Sequence, residues 1–182
     1  DCIQIDLNTL FGILGSGNCG CFGENKQTLY IGKGYQLVTN TTINEIYKLW
    51  LEVDANGDYT GNATLLGTYK LDAIGGVVNG IQGSFGGGEL NSMQSIKYDG
   101  YVYMAYGTSG HNFFVVDLDD ETMTWRIVGR LEYKYFKADH TLVNLEPEFV
   151  ALRNGKIVCG SRHIDTNNHA NDISSIVEFD KW

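Results

Sequence analysis

The sequence predicts an all-β fold: a β-propeller of about three four-stranded antiparallel blades. Three observations predict it. First, an apolar, acidic, apolar, acidic-or-amide phrase recurs as IDLN (Ile5–Asn8), LEVD (Leu51–Asp54), VDLD (Val116–Asp119) and VEFD (Val177–Asp180). Such alternation suits a strand with one buried face. Second, the first three copies are followed by a polar turn and then by two apolar residues and a glycine. These are ILG (Ile13–Gly15), LLG (Leu65–Gly67) and IVG (Ile127–Gly129). Third, the chain carries 23 Gly and 1 Pro in 182 residues, without a collagen period. That composition calls for many tight turns between short strands.

The elements follow in order. A second phrase lies between the acidic ones: TLYIGKG from Thr28, YVYMAYG from Tyr101 and KIVCGSR from Lys156. Each follows a turn signal, ENK at Glu24–Lys26, DG at Asp99–Gly100 and NG at Asn154–Gly155. The last two are hairpin turns. MQSIKY from Met93 and EFVALR from Glu148 read as the strands before those turns, and CGCFG from Cys19 as a weaker equivalent. The unit is therefore a meander of four strands, a to d. It divides the chain at roughly 1–17, 18–67, 90–130 and 147–182. INEIYKLWLEV from Ile43 has apolar residues at helix spacing, but it ends in the shared acidic phrase and is assigned to strand c.

Repeated four-stranded sheets define a propeller, in which each blade covers its neighbour's apolar face. Closed propellers usually need at least four blades, so three imply part of a larger polypeptide, several short chains in one ring, or a twisted open array. The d-to-a links run from Thr68 to Asn91 and from Arg130 to Glu146, and the b-to-c links start at Gly32 and Ser161. These long links share one face, which is the expected working surface.

Charge narrows the partners. The formal charge is −9, from 22 acids against 13 bases. That field disfavours nucleic acid and anionic membrane surfaces. No apolar run reaches membrane-spanning length, and the first residues are not an intact signal peptide. None of the four cysteines, Cys2, Cys19, Cys21 and Cys159, forms a C-x-x-C pair. Cys19 and Cys21 fall on one side of a strand, which suits shared burial; a disulfide or a metal site remains the alternative.

Several clusters could carry chemistry. DANGDYTGN from Asp54 places oxygens at Asp54, Asn56 and Asp58, the spacing of a calcium loop. Tyr59 stands at the glycine position and Leu65 where a bidentate Glu belongs, so an ordinary hairpin turn is the competing assignment. SRHIDTNNHAND holds Arg162, His163, Asp165, His169 and Asp172 in no known ligand spacing. Glu146 and Glu148, at the start of a strand a, could form a glycosidase pair, and Gln94 stands at the equivalent place one blade earlier. DDETMTW from Asp119 is similar to the Asp-box hairpin of sialidase-type propellers, matching at Asp120, Thr124 and Trp125. That motif is structural, and no sialidase-like arginine triad can be assigned.

NSMQSIKYDGYVYMAYG and EPEFVALRNGKIVCG resemble blades of propeller domains in bacteriophage tail fibres and receptor-binding proteins. The resemblance covers the last half of the chain best. It implies binding of a cell-surface glycan or protein within an extracellular or virion assembly, with other subunits of that assembly as partners and no resident cofactor. Sugar recognition through amides, carboxylates and aromatic faces would use Asn91, Gln94, Tyr106, His111, Glu148, Arg162 and His163. A carbohydrate-active hydrolase using Glu146 or Glu148, and a purely structural subunit, are the rival readings.

Overall fold

The computed structural model describes residues 5–12, 17–23, 25–34, 44–70, 77–78, 81–82, 89–96, 101–107, 113–131, 135–143, 146–163, 170 and 172–180. One short helix precedes the strands, α1 (Leu7–Phe11). The first sheet is antiparallel in chain order: β1 (Gly17–Phe22), β2 (Thr28–Gly34), β3 (Asn44–Val53) and β4 (Tyr59–Lys70). Two short strands follow as a hairpin, β5 (Val77–Val78) and β6 (Ile81–Gln82). The second sheet contains β7 (Glu89–Ile96), β8 (Tyr101–Gly107), β9 (Phe113–Asp119) and β10 (Thr124–Leu131). Another small hairpin, β11 (Tyr135–Phe136) with β12 (Leu142–Val143), leads to a third sheet. That sheet holds β13 (Glu146–Arg153), β14 (Lys156–His163) and β15 (Ile173–Asp180). The all-β meander is as the repeats predict, and β3 is a strand despite its helix-like spacing. Among the described residues the sheets do not close into a ring.

The sheets stack through their apolar faces. Cys21, Tyr30, Ile46 and Tyr69 of the first meet Val102, Met104, Phe114, Val116 and Ile127 of the second. The opposite face of the second, with Tyr103, Ala105, Phe113 and Val115, meets Val150, Ile157 and Cys159 of the third. The outward face of the first sheet buries Tyr47, Leu49 and Leu51, with Ile5 packed against them. Strands β1, β7 and β13 touch in succession, so the first strand of each sheet lies beside the next. Both d-to-a links contain one of the small hairpins, so neither is wholly irregular.

One element differs from the sequence prediction. The segment 1–17 reads as strands c and d of a blade, but Leu7–Phe11 is helical. Asp6 is its N-cap: Oδ1 accepts the Asn8 and Thr9 N–H groups, each at 3.0 Å, and Oδ2 accepts the Thr9 hydroxyl at 2.8 Å. Gly12, at φ +65°, ends the turn in the left-handed conformation glycine tolerates. Ile13–Gly15, the first apolar-apolar-glycine phrase, lies outside the described residues.

The turns are held by carboxylates. Asp54 Oδ1 accepts the Asn56 and Asp58 N–H groups at 2.8 and 3.0 Å. Asp119 Oδ1 accepts those of Glu121 and Thr122, and Asp139 Oδ1 that of Thr141. These bonds, with those at Asp6, hold all four carboxyls below their ordinary value of 3.8. A group depressed on folding contributes stability above its unfolded pKa, and that contribution is lost as pH falls through the folded value. The unfolding free energy should therefore stay level near neutrality and fall below about pH 4. Urea titrations at stepped pH check this, and Asp119→Asn should shrink the acid slope.

Candidate functional site

Register, more than any single motif, marks a site. A β-bulge adds one residue to a strand and re-aims the chain locally. In the first sheet Gly17 pairs with Lys33 and Cys19 with Gly32, leaving Asn18 as the extra residue. In the second, Leu90 pairs with Tyr106 and Ser92 with Ala105, so Asn91 is extra. In the third, Pro147 pairs with Ser161 and Phe149 with Gly160, so Glu148 is extra. The three bulges occupy one register on three strands that touch in succession. They lie toward the start of each strand, on the side where the long d-to-a and b-to-c links emerge.

The sequence alignment therefore needs a correction. Gln94 pairs with Tyr103 and is equivalent to Ala151, which pairs with Val158; the equivalent of Glu148 is Asn91. The connection between β7 and β8 covers 97–100, whereas β13 and β14 are joined by Asn154 and Gly155 alone. The longer first connection places Asn91 two residues further from its turn glycine, Gly100, than Glu148 is from Gly155. Asn18 directly precedes CGCFG, the weak equivalent of the other first strands, and lies outside that phrase. The polar residue before it was the available signal.

Glu148 is half-buried and paired through Oε1 with Nε of Arg162, whose side chain is half exposed. Arg162 sits opposite Glu146 in the ladder. Beside it, the buried Ser161 hydroxyl has no hydrogen-bond partner among the described residues. A buried hydroxyl left unsatisfied costs about 1–3 kcal/mol, which a water or a ligand hydroxyl would offset. The backbone places Asn91 on β7, Tyr106 on β8 and His163 at the end of β14. His111, Asp165 and His169 lie outside the described residues.

Other candidates sort differently. The carboxylate of Asp54 is engaged by its own turn, as a hairpin requires, and no cluster of three His, Cys, Asp or Glu side chains occurs among the described residues. Burial raises the Cys19 and Cys159 thiols to about 12, and Cys21 is buried in the same cluster that Cys19 packs against. Such thiols are poor nucleophiles at neutral pH. Asp120 and Trp125 of the Asp-box-like hairpin tie the second sheet to the first, which is a structural role. Two shallow, open depressions flank the outer turns, one by Asp117, Trp125 and Arg126, the other by Lys26, Asp58 and Tyr59. The chain matches no known family model and no curated protein.

Proposed function

We propose that the chain is a non-enzymatic recognition module with propeller-type blades, binding a cell-surface glycan in an extracellular or virion assembly. The reading rests on one observation: the bulges at Asn18, Asn91 and Glu148 share a register on adjoining strands, on the long-link side. Two amides and a carboxylate offer the donors and acceptors that sugar hydroxyls need. The Glu148–Arg162 pair pre-positions an acceptor beside a cation without adding net charge.

A panel of immobilised glycans, probed with the purified chain and followed for reducing-end release, tests this. Binding without turnover is expected, weakened about tenfold or more by Glu148→Gln, since hydrogen bonds to a charged group are worth about 1.5–3 kcal/mol. Turnover that Glu148→Gln abolishes would establish the hydrolase instead. Absence of binding to every glycan would leave the structural-subunit reading.

A further inference from the structure

At the end of the first sheet away from the long links, two turns border a depression of about 440 Å³. That size lies within the range of about 300–1,000 Å³ that small-molecule sites occupy. The connection between β1 and β2 contributes Lys26 and Gln27, and the one between β3 and β4 contributes Gly57 and Asp58. Val53 and Tyr59, which pair across the second turn, complete the lining. Hydrogen bonds tie the two turns together. The Leu51 N–H donates to the Gln27 carbonyl at 2.7 Å, and Gln27 Nε2 donates to the Leu51 carbonyl at 3.1 Å. The Tyr59 hydroxyl donates to the Lys26 carbonyl, and Tyr59 also packs against the cluster of Tyr47, Leu49 and Leu51. Asp54 stiffens the second turn by accepting the Asn56 and Asp58 N–H groups. Lys26 and Asp58 are exposed, and neither forms an ion pair among the described residues.

We propose that this depression binds one neutral pyranose residue, at the opposite end of the strands from the bulge row. A pyranose has a face of C–H groups and a rim of hydroxyls that both donate and accept. Tyr59 and Val53 supply apolar wall for the C–H face. Lys26 supplies a donor, and the Asp58 carboxylate an acceptor. Gln27 spends its Nε2 on Leu51 and keeps its Oε1 as a second acceptor. The single cation and single anion of the lining cancel, and the net −9 of the chain disfavours an acidic sugar. Because Tyr59 and Gln27 are already held by backbone carbonyls, binding orders little that is not ordered beforehand. An extended peptide would need an open strand edge, whereas these two turns already bond to each other. A sugar bound here is a second point of attachment that does not require the bulge row.

Saturation-transfer NMR of the purified chain with the methyl pyranosides of glucose, galactose, mannose and N-acetylglucosamine tests the proposal. At least one is expected to bind with a dissociation constant on the order of 1 mM, the strength that one small ring supplies. Saturation should concentrate on the C–H groups of one ring face. Tyr59→Ala and Asp58→Ala should each weaken binding about tenfold. Asp58→Ala alters only an exposed side chain, so with an unchanged circular dichroism spectrum it decides the matter even where Tyr59→Ala disturbs folding. Glu148→Gln should leave this binding as it is. No binding by any of these pyranosides, binding that Asp58→Ala leaves intact, or binding confined to a glucuronide would overturn the proposal. Binding lost with Glu148→Gln and kept with Asp58→Ala would overturn it too, while supporting sugar recognition at the bulge row.

Discussion

Phe113→Ala is expected to cost about 3–5 kcal/mol of unfolding free energy, the range for emptying a large buried aromatic site. Phe113 is 0% exposed and lies with Val115, Val150, Ile157 and Cys159 between the second and third sheets. Its removal leaves a cavity that two rigid sheets cannot readily collapse, because each is fixed by its own ladder. Ile46, paired with Gly32, and Ile176, paired with Gly160, hold the ladder position that Phe113 holds opposite Ala105, and they supply the controls. Ile46→Ala, at 0% exposure between the first two sheets, should cost about 2–5 kcal/mol. Ile176→Ala, at 71% exposure, should fall within about 0.5 kcal/mol. Urea unfolding of the three variants makes the comparison. Equal losses at the three positions would contradict the stacking.

Much of this order is legible in the sequence, and particular residues explain why. LEVD, VDLD and VEFD alternate because Leu51, Val116, Val177 and Phe179 enter the stack while their neighbours meet water. The NG turn is explicit: Asn154 and Gly155 both have positive φ, 51° and 77°, as a tight hairpin requires. IDLN misleads because four alternating residues also fit the first turn of a helix. The Asp6 side chain, satisfying two N–H groups, decides for the helix. LLG and IVG carry a signal that alternation alone does not explain. Two adjacent apolar residues break the period of two. The register shows why: Leu66 and Val128 are the extra residues of bulges between β3 and β4 and between β9 and β10. The bulges at Asn18, Asn91 and Glu148 were hidden for another reason. A single polar residue within a strand looks like ordinary alternation, and only the cross-strand register shows that it is the extra residue of a bulge.

Asp120→Ala is expected to destabilise the chain by about 2–4 kcal/mol, because one turn carboxylate holds two groups of the neighbouring sheet. Asp120 Oδ2 lies 2.5 Å from Lys48 Nζ, and Oδ1 accepts a hydrogen bond from the Tyr69 hydroxyl. Tyr69 is 0% exposed; burial, and then its bond to Asp120, hold the phenol far above its ordinary pKa. The Lys48 side chain is 14% exposed, so without Asp120 an ammonium stays near the interface with poor access to water. Asp120 is itself 48% exposed, which keeps the loss below that of a fully buried pair. Next to this clamp, Trp125 Nε1 donates to the Lys70 carbonyl at 2.9 Å and Met123 packs over Gly67. Asp120→Asn keeps an acceptor for Tyr69 but removes the charge, and should cost about half as much. Lys48→Met on the Asp120→Ala background should recover about 1–2 kcal/mol, because it removes the stranded charge while keeping the apolar stem. A double-mutant cycle by denaturant unfolding measures that coupling. Strict additivity, or an Asp120→Ala chain as stable as the parent, would show that the two sheets are held by apolar contact alone and that this Asp-box-like hairpin contributes no clamp.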